Sequence, residues 1–124
     1  MNTTPNSQVV LSASTLTGDQ VTNRSGEELG KIQEIMLDAN HGRIAYAVLS
    51  FGGFLGLGNK LFAIPWDMLS LNVRDKCFIL DVTKQQLENA PGFDKDAWPS
   101  FADSSFHEST YKHWGRKPYW QTAS

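Results

Sequence analysis

The sequence predicts a mainly β protein: a small closed or partly open β-barrel of about six strands, followed by short C-terminal helices. Three observations predict it. Two short apolar runs, residues 43–51 and 60–66, flank a glycine-rich loop and read as paired strands. The first run is apolar on both faces when extended, with Ile44, Tyr46 and Val48 on one side and Ala45, Ala47, Leu49 and Phe51 on the other. Such a strand is covered on both sides, as in a sheet centre or a barrel. Finally, strand-like segments precede any substantial helix, and closing a sheet removes its exposed edges.

Each element has a local reason. Residues 1–8 are polar and hold Pro5, and residues 1–10 read as a mobile tail. Leu11 to Leu16 reads as a short turn or edge segment with Ser12 and Ser14 as local caps. Gly18 opens a small strand over residues 19–23 with Val21 inward, and residues 24–27 form a turn in which Gly26 is free to take positive φ. Residues 30–38 form the next strand. A bulge near Gln33 and Glu34 would bring Ile32, Ile35 and Leu37 to one side. Asn40, His41 and Gly42 connect it tightly to the central strand. Pro65 has no N–H for a ladder and belongs at a strand end or edge, and Asp67 is placed to cap the turn after it.

A second hairpin pairs residues 71–73 with 77–82 around Arg74, Asp75 and Lys76, and puts Phe78, Leu80 and Val82 on one face. Thr83 and Gln86 fit a capping box for a short helix that Pro91 and Gly92 stop. Residues 11–92 are thus the barrel and residues 93–124 a separate extension. Eight of the chain's fourteen aromatic residues lie between Phe93 and Trp120, too many for a disordered tail, so this segment packs on the barrel or on a second subunit. Ser105 and Glu108 suggest a second capping box, for a helix ending near Gly115.

Composition narrows the function classes. A chain of 124 residues is one domain's worth and needs no disulfide or metal to fold. Net charge is −2, and the eleven Lys and Arg are scattered apart from Arg116 and Lys117, which argues against a nucleic-acid face. The single cysteine fits a reducing compartment. No apolar run approaches the roughly 20 residues that span a bilayer, and the acidic balance makes membrane contact an unfavoured expectation. The N-terminus has neither the basic patch nor the apolar segment of a secretory signal, so the expected setting is the cytoplasm.

The chemistry-bearing motifs are weak. The loop Gly52 to Lys60 is not a phosphate loop: no Ser or Thr follows Lys60, Leu61 stands where a dinucleotide fingerprint has glycine, and no helix follows. Phe54, Leu55 and Leu57 in this loop either plug the barrel or form an exposed apolar interface patch. His107, Glu108 and His113 lack the spacing that puts two ligands on one helix face, and read as surface or half-packed. Cys77 reads as a small buried hydrophobe; no histidine stands near it in sequence, and a catalytic partner would have to come from a distant position. The aspartates form no calcium loop, and no serine occupies a nucleophile elbow. The C-terminal tryptophans and tyrosines lack the cationic groove that stacking readers of nucleic acid need.

The stretch SFGGFLGLGNKLFAIPW, preceded by GEELGKIQEIMLDANHGRIAYAVL, resembles the PRC-barrel domain. That family includes the cytoplasmic domain of the photosynthetic reaction-centre H subunit and the C-terminal domain of the bacterial ribosome-maturation factor. The resemblance covers residues 12–83, and the glycine hairpin with Ile64, Pro65 and Trp66 is its most specific part. It implies a small, strongly bent PRC-type barrel without a shared active site, acting as an adaptor that contacts other proteins. The resulting expectation is a non-enzymatic protein-binding module with no cofactor and no metal. Its partner is a protein of unknown identity, and it is itself a homo-oligomer, with a dimer favoured. The candidate interface is Gly53, Phe54, Leu55, Leu57, Pro65, Trp66, Trp114, Tyr119 and Trp120. The alternatives are a small-ligand module, with a cavity by Trp66 and the glycine loop, and then a membrane-surface module.

Overall fold

The computed structural model describes residues 9–52, 60–72 and 74–121. Six strands form one sheet: β1 (Gln20–Thr22), β2 (Glu28–Asp38), β3 (Arg43–Phe51), β4 (Lys60–Pro65), β5 (Leu69–Asn72) and β6 (Cys77–Leu80). Their order is β4-β3-β2-β1-β6-β5, and every neighbouring pair is antiparallel except β1 with β6. The edge strands β4 and β5 are consecutive in sequence, joined by the single 3-10 turn Trp66–Met68. Five strand spacings in a flat sheet measure about 24 Å, whereas the chain from Pro65 to Leu69 reaches at most about 14 Å. The sheet must therefore curl until its edges approach at that corner, and it forms an open half-barrel. The Trp66 ring on β4's side meets Phe78 of β6 edge-on, with centroids 5.7 Å apart.

The bends sit where the sequence permits them. Gly30 has φ +144°, and a Cβ there would lie 2.1 Å from the Ser50 carbonyl oxygen, so only glycine lets β2 approach β3 so closely. Pairing slips between Ile32 and Glu34, the predicted bulge, and Ile32 and Ile35 both pack inward. Leu37 does not join them. A second slip, between Met36 and Leu37, leaves it 69% exposed. The same slip leaves Ala45 unpaired between Ile44 and Tyr46, so Ala45 packs with Tyr46 and not with Ala47 as strict alternation predicts. Residues 45–51 are all buried, as expected of a strand covered on both sides.

Inside the curl, Val21, Leu29, Ile32, Leu49, Phe62, Ile64, Phe78 and Leu80 form the main apolar core. Phe78, Leu80 and Val82 share it, as their alternation predicts. The short helix α1 (Ala13–Leu16) adds Leu16, and α2 (Lys84–Glu88) adds Leu87. The α2 cap is the predicted capping box, with Gln86 N–H to Thr83 Oγ1 at 3.0 Å and Thr83 N–H to Gln86 Oε1 at 2.8 Å.

Helix α3 (Ser104–Trp114) starts earlier than predicted. Asp103, and not Ser105, is its N-cap: the carboxylate accepts the Ser105 N–H at 3.0 Å and the Ser105 hydroxyl at 2.8 Å, which places Ser105 inside the first turn. Hydrogen bonding holds the Asp103 carboxyl below its usual range. Gly115, at φ 67°, ends the helix. Asp67 does not cap its turn; it accepts Arg43 Nη2–H at 3.0 Å. Cys77 is half-buried and not in a disulfide. Among the described residues no helix is long and apolar enough to cross a membrane.

Candidate functional site

The outer face of β3 meets the C-terminal segment. Phe93 exchanges backbone hydrogen bonds with Leu61 at 2.8 and 2.9 Å, tying the segment to the β4 edge. It then lays α3 and the 3-10 turn Tyr119–Gln121 across the sheet. Ala45, Tyr46, Ala63 and Tyr111 form a second buried cluster, and Met36, Phe93, Phe101, Phe106, Tyr119 and Trp120 pack against it. Small residues at 45 and 63 leave room for rings, and those rings supply most of the contact area.

Tyr46 is the hub. Its hydroxyl lies 2.7 Å from His107 Nδ1, and the two rings are nearly parallel, with centroids 5.5 Å apart. His107 Nε2 lies 2.7 Å from the Phe101 carbonyl oxygen, which can only accept. The imidazole proton therefore sits on Nε2, and Nδ1 accepts from Tyr46. Burial, with lesser contributions from Tyr111 and Tyr119, raises the Tyr46 hydroxyl well above its ordinary value.

Tyr111 is pushed up to about 12 by burial and by the Asp67 charge, with Arg43 opposing. Its hydroxyl is buried without a hydrogen-bond partner among the described residues. Tyr119 donates a hydrogen bond to Asp38. Burial, and then that bond, raise its hydroxyl. The same bond lowers Asp38, helped by the His41 backbone N–H and imidazole against an opposing desolvation. Arg43 completes the frame, its guanidinium 3.9 Å from the Tyr119 ring centre while it pairs with Asp67.

Between sheet and arm lies a cleft of about 390 Å³, lined by Asp38, Tyr46, Phe101, His107, Glu108 and Trp120 among others. A smaller one of about 240 Å³ lies between Ala63, Phe93, Phe106 and Trp114. The larger of these two clefts is on the outer face; the cavity expected by Trp66 and the glycine loop falls on residues 53–59, outside the described residues.

Of the residues picked from sequence, Gly53, Phe54, Leu55 and Leu57 lie outside the described residues. Pro65 is fully buried at the end of β4. Trp66 and Trp114 are half-buried against the main core. Only Tyr119 and Trp120 line the larger cleft, with their rings 5.1 Å apart. Asp38, Tyr46, Phe101, His107 and Glu108 were not among the chosen residues. One signal did point to Tyr46: it is the lone polar-tipped side chain between Ile44 and Leu49, and a buried tyrosine hydroxyl usually finds a partner. The described residues contain no cluster of three potential metal ligands.

The chain is similar to a solved structure of a putative 16S ribosomal RNA processing protein, RimM, from Pseudomonas aeruginosa, with 17% identity and a TM-score of 0.43. The match covers 66% of this chain and 50% of that one, so the chain spans about half the length of that protein. No curated protein matches the sequence. The family model for the PRC-barrel domain matches residues 8–87, most of the chain and all six strands, and the protein belongs to the PRC-barrel family.

Proposed function

We propose that the chain is a non-enzymatic protein-binding or assembly module, an adaptor working in the cytoplasm and itself a homo-oligomer, with a dimer favoured. The observation that carries this reading is the accessibility of its tryptophans. Trp98 is 38% exposed, and Trp66, Trp114 and Trp120 are half-buried. Tryptophan is enriched at interface centres, where one flat ring gains much buried area at little entropic cost. Leu37, beside the larger cleft, adds exposed apolar surface. Membership of a family whose known members act as adaptors supports the same reading.

The test is native mass spectrometry on the full chain purified gently from its own cells, with Trp66→Ala and Trp120→Ala beside it. The expected result is a dimer mass, or a stoichiometric complex with a second protein, that the substitutions dissociate while the circular dichroism of the fold persists. A monomer without a partner, or a complex indifferent to both substitutions, overturns the reading.

A further inference from the structure

We propose that the larger cleft binds an organic cation of the alkylammonium class. The inference goes beyond the adaptor reading and does not depend on it. The cleft's volume, about 390 Å³, lies in the range of small-molecule sites. Phe101, Tyr119 and Trp120, each half-buried, contribute its aromatic surface, and the buried Tyr46 lies beneath them. Among the described residues, the charged side chains in its lining are two carboxylates, Asp38 and Glu108, and no lysine or arginine lines it.

Aromatic faces carry negative charge and attract cations, most strongly those that are weakly hydrated and bring their own apolar surface. An anion would meet both carboxylates. A neutral apolar ligand would have to desolvate them without compensation. Alkylammonium satisfies both kinds of surface at once. Asp38 is already bonded to Tyr119, His41 and the Asn40 N–H, whereas Glu108 is exposed and has no ion-pair partner among the described residues. Glu108 is therefore the carboxylate free to turn toward a guest. Arg43, over the Tyr119 ring, is paired with Asp67 and does not line the cleft. The smaller cleft differs: no charged side chain among the described residues lines it.

The cation can arrive free or as the lysine side chain of a protein. The experiment titrates the full chain, followed by NMR shifts of Trp120 and His107, with three probes: choline, its uncharged analogue with carbon in place of the quaternary nitrogen, and an Nα-acetyl-lysine amide. Choline, the lysine amide or both should saturate, with the uncharged analogue weaker by about tenfold or more. Tighter choline binding assigns the site to free amines, and tighter lysine-amide binding to a side chain. Glu108→Gln, at an exposed helix position that leaves the arm's packing intact, should weaken the cations and leave the uncharged analogue unchanged. Failure of both cations to saturate, equal binding of choline and its analogue, or indifference to Glu108→Gln overturns the proposal.

Discussion

On one face of β3, Ala47, Leu49 and Phe51 meet the apolar interior of the curl; on the other, Tyr46 meets the rings of Phe101, Phe106, His107 and Tyr111. The two clusters share a strand but not a physics. The inner one is held by apolar area and shape, and its fully buried members carry no ionisable group. The outer one adds hydroxyls, an imidazole and a carboxylate to its rings, so its stability depends on proton occupancy. The inner cluster draws on every strand from β1 to β6. The outer one joins the sheet to a segment that follows it in sequence. Loss of the inner cluster should unfold the whole chain, whereas loss of the outer one should release the arm from a sheet that survives.

The largest expected effect breaks the inner side. Phe78 is 1% exposed on β6 and packs against Trp66. Phe78→Ala removes a ring from a close-packed interior and should cost about 3–5 kcal/mol, a large share of a typical domain's stability. Denaturant unfolding followed by far-ultraviolet circular dichroism and by tryptophan fluorescence should shift to a lower midpoint by both probes together. If fluorescence from the arm shifts alone, the assignment of global stability to the inner cluster fails.

Alkaline pH should act on the outer side alone. All three tyrosines of the chain lie in this cluster, and each hydroxyl is raised, Tyr111 to about 12. A raised group prefers its neutral form in the folded protein. Its contribution is complete below the unfolded value of about 10 and is lost as pH rises through the folded values. Tyrosinate absorbance should therefore appear at higher pH than in the denatured chain and coincide with a change in arm fluorescence. A tyrosine titrating near its ordinary value would show that its hydroxyl is not held in this interface.

How much of this was legible beforehand follows the same division. Alternation within residues 77–82 and the two-faced apolar run of β3 disclosed the inner cluster, because period-two patterning is local and survives without tertiary knowledge. The Gln33 bulge was legible because Ile32 and Ile35 otherwise point apart. The slip beside Leu37 was not, because it depends on pairing with β3 across a turn. In the arm, the density of aromatics announced packing but gave no address. The Tyr46–His107 contact joins residues 61 apart, and no periodicity encodes such a pair. The Asp103 cap is hidden in the sequence because Ser105 with Glu108 offers a full capping box two residues later, whereas Asp103 has Phe106 at the third position after it and caps through its carboxylate alone.

Tyr46→Phe sharpens the contrast at lower cost. It keeps the ring and its packing and deletes the donor to His107 Nδ1, leaving a half-buried acceptor unpaired, for about 1–3 kcal/mol. Amide exchange should accelerate along Ser104–Trp114 while β1, β2 and β6 remain protected. Uniform acceleration across the sheet would mean that the two clusters unfold as one unit.

The smallest effect compares two helix caps, one for each cluster. Thr83 caps α2, whose Leu87 is fully buried in the inner core, and Asp103 caps α3, whose Tyr111 is in the outer one. Thr83→Ala should cost about 1 kcal/mol and appear in the global unfolding midpoint, because α2 is stitched to the core that every strand shares. Asp103→Ala should leave that midpoint in place and loosen only the first turn of α3, read as faster exchange at Ser105 and Phe106. Because Asp103 is held below its usual range, acid should mimic its substitution: the cap is present above the ordinary carboxylate value and is lost as pH falls through the lowered one. Ser105→Ala is the control, since it removes a hydroxyl that donates to the cap but leaves the capping carboxylate and the Ser105 N–H in place. If Ser105→Ala loosens the helix as much as Asp103→Ala, the capping oxygen has been misassigned. If Asp103→Ala moves the global midpoint, the arm and the curl are a single cooperative body, and the separation between the faces of β3 is chemical without being mechanical.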